Sequence, residues 1–320
     1  MLQVLVTVIA VAIPTAIFMH AVNSIDRYEK EPTRFLIGAF IWGALPAAIL
    51  GILIELILRI PVTLLLGEES LSGKLINTAI ISPIVEELLK AGVVAIIYFW
   101  RRREFDGWVD GLVYGAMAGF GFAYVENVFY LLGTGNWSDW LSLFVLRVIV
   151  FGLMHGFWTS LTGIGFGVAR NSTIRSKKVL AVLAGLLAAM VSHMVHNGAL
   201  ALSDSRNGSL VLVALANYGA GLVLLLCLRV IAIHNDRQML QTYLRDEVPD
   251  ILSPQAYADL CSPKTHALAN LRLSPRQQRS FIQTAAELAQ KKRQLVRLGI
   301  EGTNLTDIES LRMQLSAFSR

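Results

Sequence analysis

Charge is scarce in this 320-residue chain: Asp, Glu, Lys and Arg make up only 16% of it, against 54% hydrophobic residues, and mean hydropathy is +0.56. That balance excludes an ordinary soluble globular protein, in which about a quarter of the residues are charged. Cysteine is nearly absent. Cys227 and Cys261 fall in different parts of the chain and exclude a disulfide framework. No Lys or Arg precedes Arg27, so the first apolar run lacks the basic start of a cleavable signal peptide and reads as an uncleaved anchor. Internal repeats and low-complexity tracts are missing too, which excludes solenoids and arrays.

What is present is apolar length. Runs of spanning size recur near 2–22, 35–58, 76–100, 109–132, 141–169, 179–202 and 209–233. The loops between them differ in basic charge. Loops 24–34 (Arg27, Lys30, Arg34), 101–108 (Arg101, Arg102, Arg103) and 170–178 (Arg170, Arg175, Lys177, Lys178) are rich in it. The alternate loops hold Arg59 and Lys74, no basic residue, and Arg206. The positive-inside rule then predicts an all-α, polytopic bundle of about seven spans, N-terminus out and C-terminus in the cytoplasm. The external loop 59–75 contains an apolar run at 61–66 too short to span, placed in the interface. Residues 1–233 form the membrane domain. Residues 234–320 carry 12 Lys/Arg and 9 Asp/Glu, have no spanning run, and read as a small soluble helical tail. In that tail Ser253-Pro254 and Ser274-Pro275 are helix starts, Thr306 to Glu309 has capping-box spacing, and three short helices follow. The pI near 9.3 fits attraction to anionic headgroups better than nucleic-acid binding.

Against this background Ser82-Pro-Ile-Val-Glu86-Glu87-Leu-Leu-Lys90 stands out. A charge at mid-bilayer costs roughly 2.5–3.5 kcal/mol even on insertion scales, so it is paired or used. Lys90 lies i+4 from Glu86 and i+3 from Glu87 and can reach either. The adjacent carboxylates point about 100° apart, so one can face a cavity while the other faces a packed neighbour. Other polar residues fall at a similar depth, in the outer half of the bilayer. They are Glu126 and Asn127, then His155, then His193 and Asn197 on one helical face, with His196 beside them. Arg147 and Glu55 read as structural, Arg147 pairing with Glu126 or Asp110 and Glu55 reaching the interface.

A carboxylate and an imidazole in a low-dielectric cavity can share the deprotonation of a water. His193 and Asn197, one turn apart, offer donors for the oxyanion of a tetrahedral intermediate. With no Ser or Cys nucleophile in the layer, this set describes amide hydrolysis without an acyl-enzyme. Zinc held by Glu86, His155 and His193 is the alternative, two His and one carboxylate. No His-Glu-x-x-His is present and the ligands come from three helices, so the reading that requires no cofactor is preferred.

Five ordered motifs carry a resemblance: Asp26 to Pro32, Glu86-Glu87-x-x-Lys90, Phe122-Ala-Tyr-Val-Glu126-Asn127-x-x-Tyr130, Phe151-x-x-x-His155 and His193-x-x-x-Asn197. Across about residues 23–200 the chain resembles the PrsW family of intramembrane proteases, related to the CAAX-processing and bacteriocin-processing membrane proteases. The resemblance implies a multi-helix peptidase of the bacterial cytoplasmic membrane acting on a membrane-anchored protein of the anti-sigma-factor type, near the outer side. It implies that Glu86 and His155 activate water, that His193 and Asn197 hold the oxyanion, and that Glu87 and Lys90 order the site. Lys90 follows after two residues where the CAAX-type motif has Arg after three, which favours the PrsW branch over a prenylated substrate. Two other classes remain: a proton-coupled transporter, which should show repeats or paired broken helices, and a non-enzymatic scaffold that docks a membrane protein.

Overall fold

The structure, a computed structural model, describes residues 1–26, 28–67, 70–205, 208–262, 273–300 and 302–318. Arg27 and Arg206, counted above among the loop charges, lie outside the described residues. Among the described residues the regular structure is entirely helical. In chain order the helices are α1 (Leu2–Asn23), α2 (Thr33–Trp42), α3 (Ala48–Leu66), α4 (Leu71–Leu75), α5 (Ser82–Trp100), α6 (Trp108–Leu132), α7 (Trp137–Leu143), α8 (Met154–Arg170), α9 (Arg175–Ser205), α10 (Val211–Tyr243), α11 (Pro254–Cys261), α12 (Pro275–Leu298) and α13 (Asn304–Phe318). Among the described residues, five helical stretches are long and apolar enough to cross a membrane: Leu2–Asn23, Thr33–Leu66, Trp137–Arg170, Arg175–Ser203 and Val211–Tyr243. The other two expected spans, 76–100 and 109–132, are helical as well. They carry Glu86, Glu87, Lys90, Asp110 and Glu126 and stand outside that count.

Two expectations change. The run 61–66 is not a separate interfacial segment, because α3 continues through Pro61 and stops only at Gly67, whose φ of +84° suits glycine. The span 141–169 is not one continuous helix. It passes through a π-helical turn at Phe144–Val150 and breaks over residues 151–153, so His155 stands in the first turn of α8. Two further π-helical turns lie at Gly43–Ala47 and Ile76–Ile81, the latter running directly into Ser82. Such turns insert one residue into the helical ladder and re-aim the side chains that follow.

The chain divides into two compact units. The first comprises Met1–Ser24, Glu31–Arg170 and Ile174–Leu226. At its centre is α6, almost wholly buried from Gly111 to Ala123. Gly111, Gly115 and Gly119, one every four residues, meet the α8 backbone at Gly163, Thr159 and His155. A Cβ at any of the three would overlap a backbone carbonyl, so the small-residue stripe sets both the closeness and the register of α6 on α8. The depth of His155 is thereby fixed by its backbone.

The second unit comprises Ile25–Lys30, Asn171–Thr173 and Cys227–Arg320. Its core gathers Tyr28, Leu240, Leu244, Phe281, Leu288 and Leu315. Ser253 and Ser274 cap α11 and α12 as the sequence predicts. The third start differs: α13 begins at Asn304, with the Thr303 carbonyl accepting from the Asp307 amide, so Thr306 lies inside the helix rather than at its cap. At 24 residues α12 is also longer than expected. Glu247 is buried between Arg312 (2.7 and 2.9 Å) and Lys292 (2.6 Å), and Asp246 also binds Lys292. Burial opposes its ionisation, but hydrogen bonds from Arg312 and Lys292 and their charges hold the Glu247 carboxyl below the usual carboxylate range. A depressed folded-state value means that the stabilisation is full above the unfolded value of about 4.3 and is lost as pH falls through the folded value. Hydrogen exchange across α12 and α13, corrected for intrinsic rates, should therefore accelerate on acidification below about pH 4. Glu247→Gln should cost about 2 kcal/mol at neutral pH and flatten that dependence. An unchanged acid profile in the variant would refute the assignment.

Candidate active site

The first turns of α5 supply the centre. Ser82, Glu86 and Lys90 follow at four-residue intervals on one face, and Glu87 is turned a quarter circle away. Lys90 is fully buried. Its ammonium lies 2.6 Å from Glu87 Oε1, 3.4 Å from Glu86 Oε2 and 3.2 Å from His155 Nδ1, and 4.5 Å above the Phe122 ring. Glu87, equally buried, accepts from three sides: Lys90 and His193 Nδ1 (3.1 Å) on Oε1, and Thr159 Oγ1 (3.0 Å) on Oε2. An ionised carboxylate has about four acceptor positions, so Glu87 is nearly saturated. Glu86 differs. Ser82 Oγ donates to its Oε1 at 2.7 Å, while among the described residues Oε2 meets Lys90 at 3.4 Å and His155 Nδ1 at 3.8 Å, both long approaches.

From α8 come His155, Trp158 and Thr159. His155 Nε2 lies 2.9 Å from Glu126 Oε2, and Glu126 Oε1 lies 3.0 Å from Arg147. Asn127 joins by accepting from Arg147 Nε at 3.1 Å. His193, from α9, stacks on the Trp158 indole with centroids 3.8 Å apart, and its ring meets that of His155 edge-on at 5.2 Å. Glu87 and Lys90 have no exposed side-chain surface, whereas His155 and Glu126 keep 12% and 22%, so the cluster opens on the His155–Glu126 side.

Of the residues expected from the sequence, Glu86, Glu87, Lys90, Glu126, Asn127, His155 and His193 form one connected network. Asn197 is directed elsewhere: its amide donates to the Thr78 carbonyl in the π-helical turn before Ser82. His196 packs edge-on against Phe151 and Trp158. Arg147 pairs with Glu126, one of its two expected partners. Sequence reasoning missed Ser82, Thr159 and Trp158. The first two were discoverable by helical spacing, since Ser82 is four residues before Glu86 and Thr159 four after His155. Trp158 carries no such signal in an apolar helix.

The donor set has the chemistry of a zinc site. One atom each of Glu86, His155 and His193 lie within 4.8 Å of one another. Zinc bonds of about 2.0–2.2 Å place ligand atoms somewhat closer, within reach of small side-chain rotations. The far ring nitrogens of both histidines meet carboxylates, Glu126 and Glu87, the usual support for ligating imidazoles. Lys90 weighs against it, placing a positive charge beside two of the three prospective ligands.

Residues 31–228 match the family model described as PrsW family intramembrane metalloprotease. Curated proteins named Protease PrsW are similar over shorter stretches. The one from Geobacillus kaustophilus (strain HTA426) is 29% identical over 145 residues, 45% of this chain and 58% of the relative. That from Clostridioides difficile (strain 630) is 31% identical over 119 residues, 37% and 48%. That from Bacillus subtilis (strain 168) is 30% identical over 114 residues, 34% and 46%. The chain thus spans about half the length of the curated relatives it matches. No solved structure matches it significantly.

Proposed function

Because this chain belongs to the PrsW family, we propose that it is an intramembrane endopeptidase, hydrolysing a peptide bond of a single-span or membrane-anchored protein near the outer side of a bacterial cytoplasmic membrane. The proposal takes residues 1–233 as the catalytic portion with seven spans, N-terminus out, and 234–320 as a cytoplasmic appendage. A regulator of the anti-sigma-factor type is the substrate class it favours.

One observation carries the mechanism: of the two adjacent carboxylates, only Glu86 keeps a loosely held oxygen beside an imidazole. A water between Glu86 Oε2 and His155 Nδ1 loses its proton to this pair as its oxygen attacks the scissile carbonyl. His155 is aimed by Glu126, and Glu87 aims His193 through Nδ1, leaving Nε2 for the oxyanion. Asn197, its amide donating to the Thr78 carbonyl, braces the turn that leads into Ser82. Glu86 returns the proton to the leaving amine. Lys90 balances the buried carboxylates and keeps them in place.

The ligand geometry favours a second reading, in which Glu86, His155 and His193 hold zinc. Those three side chains would hold the ion, and the chemistry supplied would be Lewis-acid polarisation and activation of water near neutral pH. In that case Glu87 and Glu126 orient the two imidazoles just as before.

Comparing membrane proteomes of cells with and without the chain tests the function, since a single-span protein should be shortened only when it is present. If none is, the protease reading fails. On the favoured mechanism, cleavage in proteoliposomes should survive exhaustive chelation and gain nothing from added zinc. Loss on chelation with recovery on zinc addition would establish the second reading instead.

A further inference from the structure

We infer that Arg147 is a positioning residue of this site, locking the Glu126 carboxylate so that Glu126 fixes the tautomer and orientation of His155. The inference rests on the hydrolytic reading above.

The sequence puts Glu126, Asn127 and Tyr130 on α6 at i, i+1 and i+4. All three converge on one guanidinium. Arg147 lies 3.0 Å from Glu126 Oε1, donates through Nε to Asn127 Oδ1 at 3.1 Å, and stacks 3.7 Å over the Tyr130 ring. A planar cation with donors on two edges and a face for an aromatic ring uses all three at once, which a lysine ammonium cannot do. Arg147 comes from the π-helical turn Phe144–Val150, whose extra residue precedes the break leading to His155. Thus the cation and the histidine flank the same break and meet through the two oxygens of one carboxylate.

The consequence for His155 is directional. With Oε1 taken by Arg147, Glu126 presents Oε2 to His155 Nε2 at 2.9 Å. The carboxylate oxygen at Nε2 on one side and the Lys90 ammonium, a donor only, at Nδ1 on the other together favour the ring with its proton on Nε2 and its lone pair on Nδ1. That is the tautomer needed to take a proton from water. Asn127 and Tyr130 act by holding Arg147 and touch neither reacting atom.

The test uses the full chain in proteoliposomes with a single-span substrate. Arg147→Met should lower kcat about 10–100-fold with KM little changed. Glu126→Gln combined with Arg147→Met should be no worse than Glu126→Gln alone, because both break one chain of contacts. Arg147→Lys should recover part of the rate. Histidine ¹⁵N spectra, assigned with His155→Gln, should show His155 protonated at Nε2 in the unsubstituted protein and a mixture of tautomers in the Arg147 variants. Should Arg147→Met not fold, Arg147→Lys carries the same spectral test. Unchanged kcat, multiplying losses in the double variant, or an unaltered His155 spectrum would each overturn the inference. If the unsubstituted chain cleaves nothing, the protease reading fails, while the spectra still decide whether Arg147 sets the tautomer.

Discussion

Replacing Lys90 with methionine is expected to abolish cleavage and to lower the stability of the first unit by about 3–5 kcal/mol. Methionine matches the lysine stem in volume and apolar character, so packing changes little and the loss reports the charge. Lys90 has no exposed surface, and its ammonium faces both carboxylates of its own helix and the imidazole of α8. Without it two buried carboxylates stand side by side with no compensating cation. Breaking a buried pair costs far more than forming one contributes, because the remaining charge keeps its desolvation penalty. Thermal unfolding in detergent and substrate cleavage should therefore fall together. Restoring the original net charge of the cluster with Glu87→Gln in the same chain should recover much of the stability and none of the activity. A Lys90→Met chain as stable and active as the parent would show that the cluster is not a charge-balanced unit.

The architecture was legible where one physical rule dominates. Apolar length located the five helical stretches long enough to cross a membrane, and the cost of charge in hydrocarbon singled out Glu86, Glu87 and Lys90. Helical periodicity then placed Lys90 within reach of both carboxylates on α5. What the sequence hid was set by the backbone or by distant chain. The break at 151–153 follows a π-helical turn that is apolar but for Arg147, and no hydropathy pattern marks it. The glycine stripe of α6 was visible as composition, but its role in fixing His155 against Gly119 appears only with α8 in place. Asn197 shares a face with His193, yet spacing along one helix says nothing of the Thr78 carbonyl on another. Tyr28 belongs to a motif read as part of the family resemblance. Its side chain lies in the core of the second unit, with Leu240 and Leu244 more than two hundred residues away in sequence.

Glu86→Gln should reduce cleavage about 10²–10⁴-fold, the range a general base supplies, with the fold as stable as before or more so. The amide is isosteric and its oxygen still accepts from Ser82, so the α5 turn is preserved. It also removes one of the two buried carboxylates that share Lys90, and leaves the closer pair with Glu87 at 2.6 Å in place. Glu87→Gln should behave differently. That carboxylate holds Lys90, His193 and Thr159 together, and an amide cannot accept on all three sides. Stability and activity should then drop in parallel, and Lys90 should be left short of a partner. The two adjacent glutamates therefore separate by the ratio of lost rate to lost stability, which one denaturation curve and one cleavage assay per variant measure. If both substitutions destabilise equally, or if Glu86→Gln still cleaves, Glu86 is not the base. The roles of the pair follow from how many acceptor positions each has left, since chain neighbours 100° apart on one helix meet different partners.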